Sequence, residues 1–389
     1  MTKLEKLINE LCPDGVEYIK IGEICRILRG KRLTKSQLID SGKYPVLHGG
    51  LSPMGYYNEY NRKAETTIVV NTGNAGSVYW SDKEFWSSDA CFSLYPERIL
   101  LDRFLFFCVS KNESVLKSKI RSGAMPTIDS DAVALLKIPV PPIEIQREIV
   151  SILDNFTELT QELTQELTQE LTLRKKQYAY YRNKLLTFGD DVEYKTLGEI
   201  FDIRNGYTPS KSKEEYWKNG TVPWFRMEDI RENGRILSDA LQKVTLQAVK
   251  NKPFSADSII VSTSATIGEH ALINVDFMCN QRFTCLTLKK DYQNQFSIMF
   301  LFYYCFKLDE YCMNNLKKGN FSSVDMAKFN QFKIPLPAIE EQERIVKILD
   351  KFDTLCNDLT YGIPAEIALR KKQYEYYRDK LLTFKELKI

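Results

Sequence analysis

The segment from Lys137 to Phe188 returns, nearly unchanged, from Lys333 to Phe384. KIPVPPIEIQREIVSILDNF reads against KIPLPAIEEQERIVKILDKF, and LRKKQYAYYRNKLLTF against LRKKQYEYYRDKLLTF. The second pair differs only at Ala179/Glu375 and Asn183/Asp379, and both ends of the segment share one offset, 196 residues. A repeat of this length constrains architecture more than any local propensity does. It implies two copies of one unit, each ending in a long helix.

A second pair of anchors shows how the copies connect. DGVEYIKIGEI at 14–24 answers DDVEYKTLGEI at 190–200, with Glu17-Tyr18 mapping onto Glu193-Tyr194 at an offset of 176. The offset grows to 196 at the helices, so copy two carries 20 extra residues between these anchors. Lys6-Leu7-Ile8 resembles Lys184-Leu185-Leu186, as though the N-terminus continued the end of a long helix, and Leu4, Leu7, Ile8 and Leu11 place a short amphipathic helix over 3–11. The repeat is circular.

Between the anchors lie two variable regions, roughly 15–136 and 191–332, built from short Gly-, Ser-, Tyr-, Thr- and Val-rich runs that read as strands and loops. Their skeletons correspond: Arg29-Gly30 with Asn205-Gly206, Tyr44-Pro45-Val46 with Val222-Pro223-Trp224, TIVVNTGNAGSV (67–78) with IIVSTSATIGEH (259–270), and Gly123 with Gly319. The fuller SATIG of the second leaves the turn geometry of Asn74-Ala75-Gly76 in the first open.

The helices start after Pro142 and Pro337, where a missing N–H costs little. Ile149, Ile152, Phe156 and Leu159 form one apolar stripe, matched by Ile345, Ile348, Phe352, Leu355 and Leu359; Tyr178, Tyr181, Leu185 and Phe188 mirror Tyr374, Tyr377, Leu381 and Phe384. These spacings predict a two-helix, coiled-coil-like seam. Helix one contains TELTQELTQELTQELT (157–172), whose four-residue period rotates the leucine stripe by about 40° per repeat. At the same place helix two has Gly362 and Pro364, which predict an interruption. Compact domains have neighbouring termini, so the helices are expected to run antiparallel as a rod of about 65 Å, at 1.5 Å per residue, with one variable domain at each end. The expected fold is α+β: two variable α/β domains separated by two long antiparallel coiled-coil-like helices, a pseudo-twofold circular repeat. The boundaries are 1–136 for the first variable domain with its N-terminal helix, 137–190 for helix one, 191–332 for the second variable domain and 333–389 for helix two.

Of the 389 residues 43% are hydrophobic, enough for sizeable cores, and the net charge of +3 permits an acidic partner only through local basic faces. Nine scattered cysteines contain no CxxC pair, and only His48 and His270 could join them as nitrogen ligands. Reduced, mostly buried thiols are expected rather than zinc. With no signal-peptide core and no membrane-length apolar run, a cytoplasmic protein is expected.

Catalytic motifs are scarce. The sequence holds no GxxxxGK[ST] loop, no GxGxxG after a strand, no NPPY-type tetrapeptide and no GxSxG elbow; Asp82 and Glu84 flanking Lys83 make a poor metal site. A binding protein is the better reading, with a coiled-coil adaptor or a self-contained methyltransferase or nuclease as alternatives. The variable regions carry nucleic-acid chemistry. The first offers Arg29, Lys31, Arg32, Lys35, Arg62, Lys63 and Arg121; the second offers Arg204, Lys211, Lys213, Arg226, Arg282, Lys317 and Lys318. Lys and Arg neutralise phosphates, and Arg, Asn and Gln edges read bases in the major groove. Ordinary surface exposure is the alternative for each, and solvation the alternative for the charges along the helices.

The doubled IP(V/L)P helix entry, the LRKKQY(A/E)YYR(N/D)KLLTF helix ends, the tetrapeptide run and the SATIG…NQ pattern (Ser264–Gly268, Asn280, Gln281) resemble the specificity subunit of type I restriction–modification systems across essentially the whole chain. The resemblance implies two target recognition domains, each reading half of a split double-stranded DNA sequence, with Asn280 and Gln281 among the contacts. It implies helices that dock two modification subunits, which bind S-adenosylmethionine and methylate adenine, and restriction subunits that join them. The chain itself then needs no cofactor, S-adenosylmethionine, ATP and Mg being confined to the partners. Tyr180 and Tyr376 are the candidate docking residues, unless they only pack the helix pair.

Overall fold

The computed structural model describes residues 2–387 except 51, 122, 124, 251, 318–321 and 359–360. The chain forms two compact units, one of residues 1–166 and 367–389, the other of residues 167–366.

Unit one opens with a helix over Lys3–Leu11, started by a capping box in which Glu5 N–H donates to Thr2 Oγ1 and Thr2 N–H to Glu5 Oε2. Among the described residues the strands that follow are β1 (Tyr18–Lys20), β2 (Cys25–Arg29), β3 (Tyr44–Leu47), β4 (Gly55–Tyr57), β5 (Thr66–Val70), β6 (Val78–Ser81), β7 (Trp86–Ser87), β8 (Cys91–Pro96) and β9 (Lys137–Pro139). β1 pairs antiparallel with β9, so the variable region is entered and left through adjacent strands, Ile19 opposite Ile138. Its main sheet has the order β2-β8-β5-β6, and a smaller one the order β4-β3-β7. β5 is a β-branched run buried at every position, as a strand covered on both faces must be. The helix Asp102–Lys111 packs Phe104, Leu105 and Phe107 into the core with Val69, Phe92 and Leu94.

Unit two repeats the plan with β10 (Tyr194–Thr196), β11 (Phe201–Asn205), β12 (Val222–Phe225), β13 (Ile236–Leu237), β14 (Lys243–Val244), β15 (Ser258–Ser262), β16 (His270–Ile273), β17 (Met278–Cys279), β18 (Phe283–Leu288) and β19 (Lys333–Pro335). β10 pairs with β19 as β1 does with β9; the main sheet runs β11-β18-β15-β16-β13, and the smaller one β14-β12-β17. The parallel pairs Val46–Trp86 and Trp224–Met278 correspond, as do the left-handed residues Glu65 and Asp257. Most of copy two's extra length therefore lies between those points, in the helix Met227–Asn233 with β13 and β14.

The first long helix is continuous from Ile143 to Leu185. Its threonines are accommodated because Thr157, Thr160 and Thr172 donate to the carbonyls of Leu153, Phe156 and Thr168 one turn back. Copy two is broken into Ile339–Asn357 and Ile363–Leu381, as Gly362 and Pro364 predict. A Cβ on Gly362 would lie 2.5 Å from the Thr354 carbonyl oxygen, so a side chain there would collide with the end of the preceding helix.

The seam differs from the expected stripe. Ile145, Ile149 and Leu153 are the fully buried apolar residues at the start of helix one, and they join the domain core, whereas Leu159 is 62% exposed. The helix serves two surfaces: its i, i+4, i+8 row covers the sheet domain, and its neighbouring Phe156 meets the helix Ile363–Leu381 through Tyr374 and Tyr377. The four-residue period then carries the leucines round the helix, Leu159 and Leu163 exposed, Leu167 and Leu171 half-buried. In unit two Phe352 meets Tyr178 and Tyr181 in the same way. Leu359 lies outside the described residues.

Candidate nucleic-acid interface

Each sheet domain is fixed to its helix by a buried glutamine. Gln146 Oε1 accepts the Leu101 N–H at 2.9 Å, and its Nε2 donates to the Ile99 and Pro141 carbonyls at 2.9 and 2.7 Å. Gln342 repeats all three bonds with Ser297 N–H, Gln295 and Pro337, each at 2.9 Å. These partners follow the C-terminal ends of β8 and β18, so each helix attaches near that end of its sheet.

Part of the candidate set, Arg29, Lys31, Arg121, Arg282 and Lys317, gathers at the other end, whereas Lys63 precedes β5 on the helix side of the sheet. β2, β8 and β5 are antiparallel neighbours, with Arg29 opposite Phe92 and Val70 opposite Cys91, which places the loops after β2, after β5 and before β8 together. The same holds for β11, β18 and β15, with Asn205 opposite Thr284 and Ser262 opposite Phe283. Backbone hydrogen bonds tie these loops. Lys31 N–H donates to Ser87 O, Asn71 N–H to Ala90 O and Ile128 N–H to Asn71 O; in unit two Tyr207 N–H donates to Cys279 O, Thr263 N–H to Arg282 O and Val324 N–H to Thr263 O. A Cβ on Gly30 would stand 2.1 Å from Ser88 O, and one on Gly206 2.3 Å from Asn280 O, so the glycine at both sites is what lets the loops touch. The post-β5 turn is also shared. Gly73 and Gly76 have positive φ, as do Ala265 and Gly268, so the two turns place left-handed residues at the same two positions despite their different sequences.

The candidate cations divide by what their charged ends do. Arg62 is committed, donating to Ser93 Oγ, Asn61 O and Arg29 O at 3.1, 2.8 and 2.9 Å. Arg121 pairs with Asp129, Arg204 lies over the Phe254 ring at 4.4 Å, and Arg226 over Trp224 at 5.7 Å with Glu228 at 3.9 Å. Lys213 donates to the Tyr216 hydroxyl at 3.2 Å, a bond that raises its pKa. Arg29 uses only Nε, on Asp89 O at 2.9 Å. Lys31, Arg32, Lys35, Lys63, Lys211, Arg282 and Lys317 are exposed, and their charged ends have no protein partner among the described residues. Lys318 lies outside those residues.

Asn280, Gln281 and Arg282 form the turn into β18, with Asn280 Oδ1 accepting the Arg282 N–H at 3.0 Å and Gln281 bonded to the Thr208 hydroxyl. The structure adds His48, whose Nδ1 is 2.6 Å from Ser88 Oγ, along with Asn71 and Thr208. Sequence reading gives these no part in DNA contact; their one signal is nearness to the glycines of HGG, NTG and NGYT.

Among the described residues no group of three or more His, Cys, Asp or Glu could hold a metal, and no helix is long and apolar enough to cross a membrane. All nine cysteines are free and buried. Burial raises Cys25, Cys91 and Cys285 to about 12, so these thiols are not nucleophiles near neutral pH.

A family model described as the type I restriction modification DNA specificity domain matches residues 13–173 and again 189–369. The type I restriction enzyme EcoprrI specificity subunit of Escherichia coli is 55% identical over 214 residues, a match covering 53% of each chain. The EcoR124I/EcoR124II specificity subunit of Escherichia coli is 35% identical over 99% of this chain and 97% of its own length. Among solved structures, a chain from a study of complex assembly and conformational transition in the type I R-M system covers 96% of this one, at 18% identity and a TM-score of 0.66. The HsdS subunit from Thermoanaerobacter tengcongensis also covers 96%, at 19% identity and a TM-score of 0.50. Two matched copies of one domain, across most of a chain whose halves share one fold, make this protein a member of the type I restriction–modification DNA specificity family.

Proposed function

We propose that the chain is the DNA sequence-recognition subunit of a type I restriction–modification complex, each variable domain reading one half of a split double-stranded target. The observation that carries this is the loop end of each sheet, where Lys31 in one domain and Arg282 and Lys317 in the other, all partner-free, meet amide side chains on a scaffold held from behind by Gln146 or Gln342. Free Lys and Arg ends supply phosphate contacts, and the locked turns supply base contacts.

The helices dock two modification subunits, which bring S-adenosylmethionine and methylate adenine, and restriction subunits that use ATP and Mg join the assembly. Tyr180 and Tyr376 support a docking role, since they stay 61% and 62% exposed while Tyr181 and Tyr377 turn to the phenylalanines of the other helix copy. Replacing both with Ala is expected to weaken assembly while leaving the fold intact; unchanged assembly would restrict them to helix packing.

The decisive experiment is to co-express the chain with a type I modification subunit and map methylated adenines in the host genome. A two-part motif is expected, and the purified chain alone is expected to transfer no labelled methyl group. Methyl transfer by the chain alone would overturn the assignment.

A further inference from the structure

The turn before β8 and the turn before β18 occupy the same place in the two domains, since Val70 opposite Cys91 corresponds to Ser262 opposite Phe283. Their chemistry differs at every position: Ser88, Asp89 and Ala90 in the first, Asn280, Gln281 and Arg282 in the second. We infer that Arg282 is a specificity-determining residue of the second domain and that it reads a guanine through the O6/N7 edge in the major groove. The inference rests on the DNA-recognition reading and goes beyond it by assigning a base to a residue.

Two observations together single out Arg282, since Lys31, a free cation whose N–H and carbonyl are likewise bonded, to Ser87 O and the Trp86 indole N–H, has no fork. First, the Arg282 backbone is anchored on both sides. Its N–H donates to Asn280 Oδ1 at 3.0 Å, and its carbonyl accepts the Thr263 N–H at 3.0 Å. Asn280 N–H in turn donates to Phe225 O at 3.1 Å, and Gln281 is bonded to Thr208, so three neighbouring segments hold the turn. The guanidinium is exposed and has no protein partner among the described residues. A free fork on a fixed stem loses little freedom on contact, which suits a directional base contact; a phosphate needs only a nearby charge, which Lys211 and Lys317 can supply. Second, the donor set is one-sided. Asn280 Oδ1 is occupied by a backbone N–H, which leaves its Nδ2 as the available group, and Arg has donors only. Donors side by side match the two acceptors of guanine, whereas adenine and cytosine present amino donors there. In the first domain Ala90 stands at the Arg282 position and offers no donor.

The test uses the full complex with its modification subunit and compares the methylated motifs of the wild type, Arg282→Ala and Arg282→Lys. A two-part wild-type motif establishes the recognition reading independently; its absence would sink that reading before Arg282 is in question. Given that motif, both variants are expected to relax one guanine of the second half-site, the preference falling about tenfold to a hundredfold, with the first half-site unchanged. Lys keeps the charge but lacks the fork, so Arg282→Lys separates base reading from phosphate contact. An Arg282→Lys variant with wild-type preference overturns the inference. So does an Arg282→Ala variant that methylates all sites more weakly, with a shallower salt dependence and no relaxed position.

Discussion

Phe156 packs on Tyr374 with ring centroids 5.9 Å apart, and their repeat equivalents Phe352 and Tyr178 make the same contact at 6.1 Å. The second pair is the first with its roles exchanged between the sequence copies, one pair within each unit. The circular closure is equally reciprocal. Tyr194 OH donates to Phe188 O at 3.1 Å where the chain is continuous, and Tyr18 OH donates to Phe384 O at 3.2 Å where N- and C-terminal segments merely meet.

Phe156→Ala and Phe352→Ala should therefore cost similar amounts. Both side chains are half-buried and each meets two tyrosines. About 2 kcal/mol each is expected, below the loss for a fully buried phenylalanine. Denaturant unfolding of the two variants checks this, and a large difference between them would break the equivalence of the copies.

The glutamine joints predict a second pair of matched effects. Gln342→Leu strands the Ser297 N–H and the Gln295 and Pro337 carbonyls, and Gln146→Leu strands their counterparts. A loss of about 3 kcal/mol is expected in each case. Calorimetric unfolding of both variants reads it, and hydrogen exchange should localise the loosening to the helix start and its facing loop.

His270 gives the folded chain a pH dependence. It is fully buried, with Nδ1 2.7 Å from Asp309 Oδ2, its ring against Phe302 and Phe306, and Arg235 and Arg182 nearby. Burial pushes its pKa below the ordinary 6.5, Asp309 opposes that shift, and the two arginines add to it. Unfolded chains gain a proton near 6.5 that the fold resists, so this contribution is complete above that pH and falls as the pH drops below it. The slope is at most about 1.4 kcal/mol per pH unit. Unfolding of the wild type and His270→Gln between pH 5 and 8 should show a shallower acid-side slope in the variant.

Repetition made much of this fold legible in the sequence. The identical LRKKQY and LLTF segments fix two copies, and Gly362 with Pro364 fixes the break in the second helix, because backbone chemistry allows little else there. The seam was less legible: a helix facing both a sheet and another helix has two apolar rows, and periodicity alone cannot assign Leu153 to one and Phe156 to the other. The candidate interface was legible as composition only. Arg62 and Arg282 look alike in sequence, and the strand register decides that one is spent on Ser93, Asn61 and Arg29 while the other stands free.

The tetrapeptides supply a length prediction. Deleting Thr160–Leu163 removes one unit from a continuous helix, about 6 Å at 1.5 Å per residue, and turns the following face by about 40°. DNA advances about 3.4 Å and turns about 34–36° per base pair. The methylated motif should keep both half-sites with a spacer one or two base pairs shorter. An unchanged spacer in an active complex would show that the run has no metric role.

The central claim is that each variable domain reads its own half of the target, and one exchange tests it most directly. Residues 15–136 are replaced by the same region of a relative of different specificity, and the adenine methylation motif is mapped in cells that also carry the modification subunit. The account predicts that one half of the motif changes to the donor's while the other half and the spacer remain. A change in both halves, or in neither while methylation continues, would contradict it.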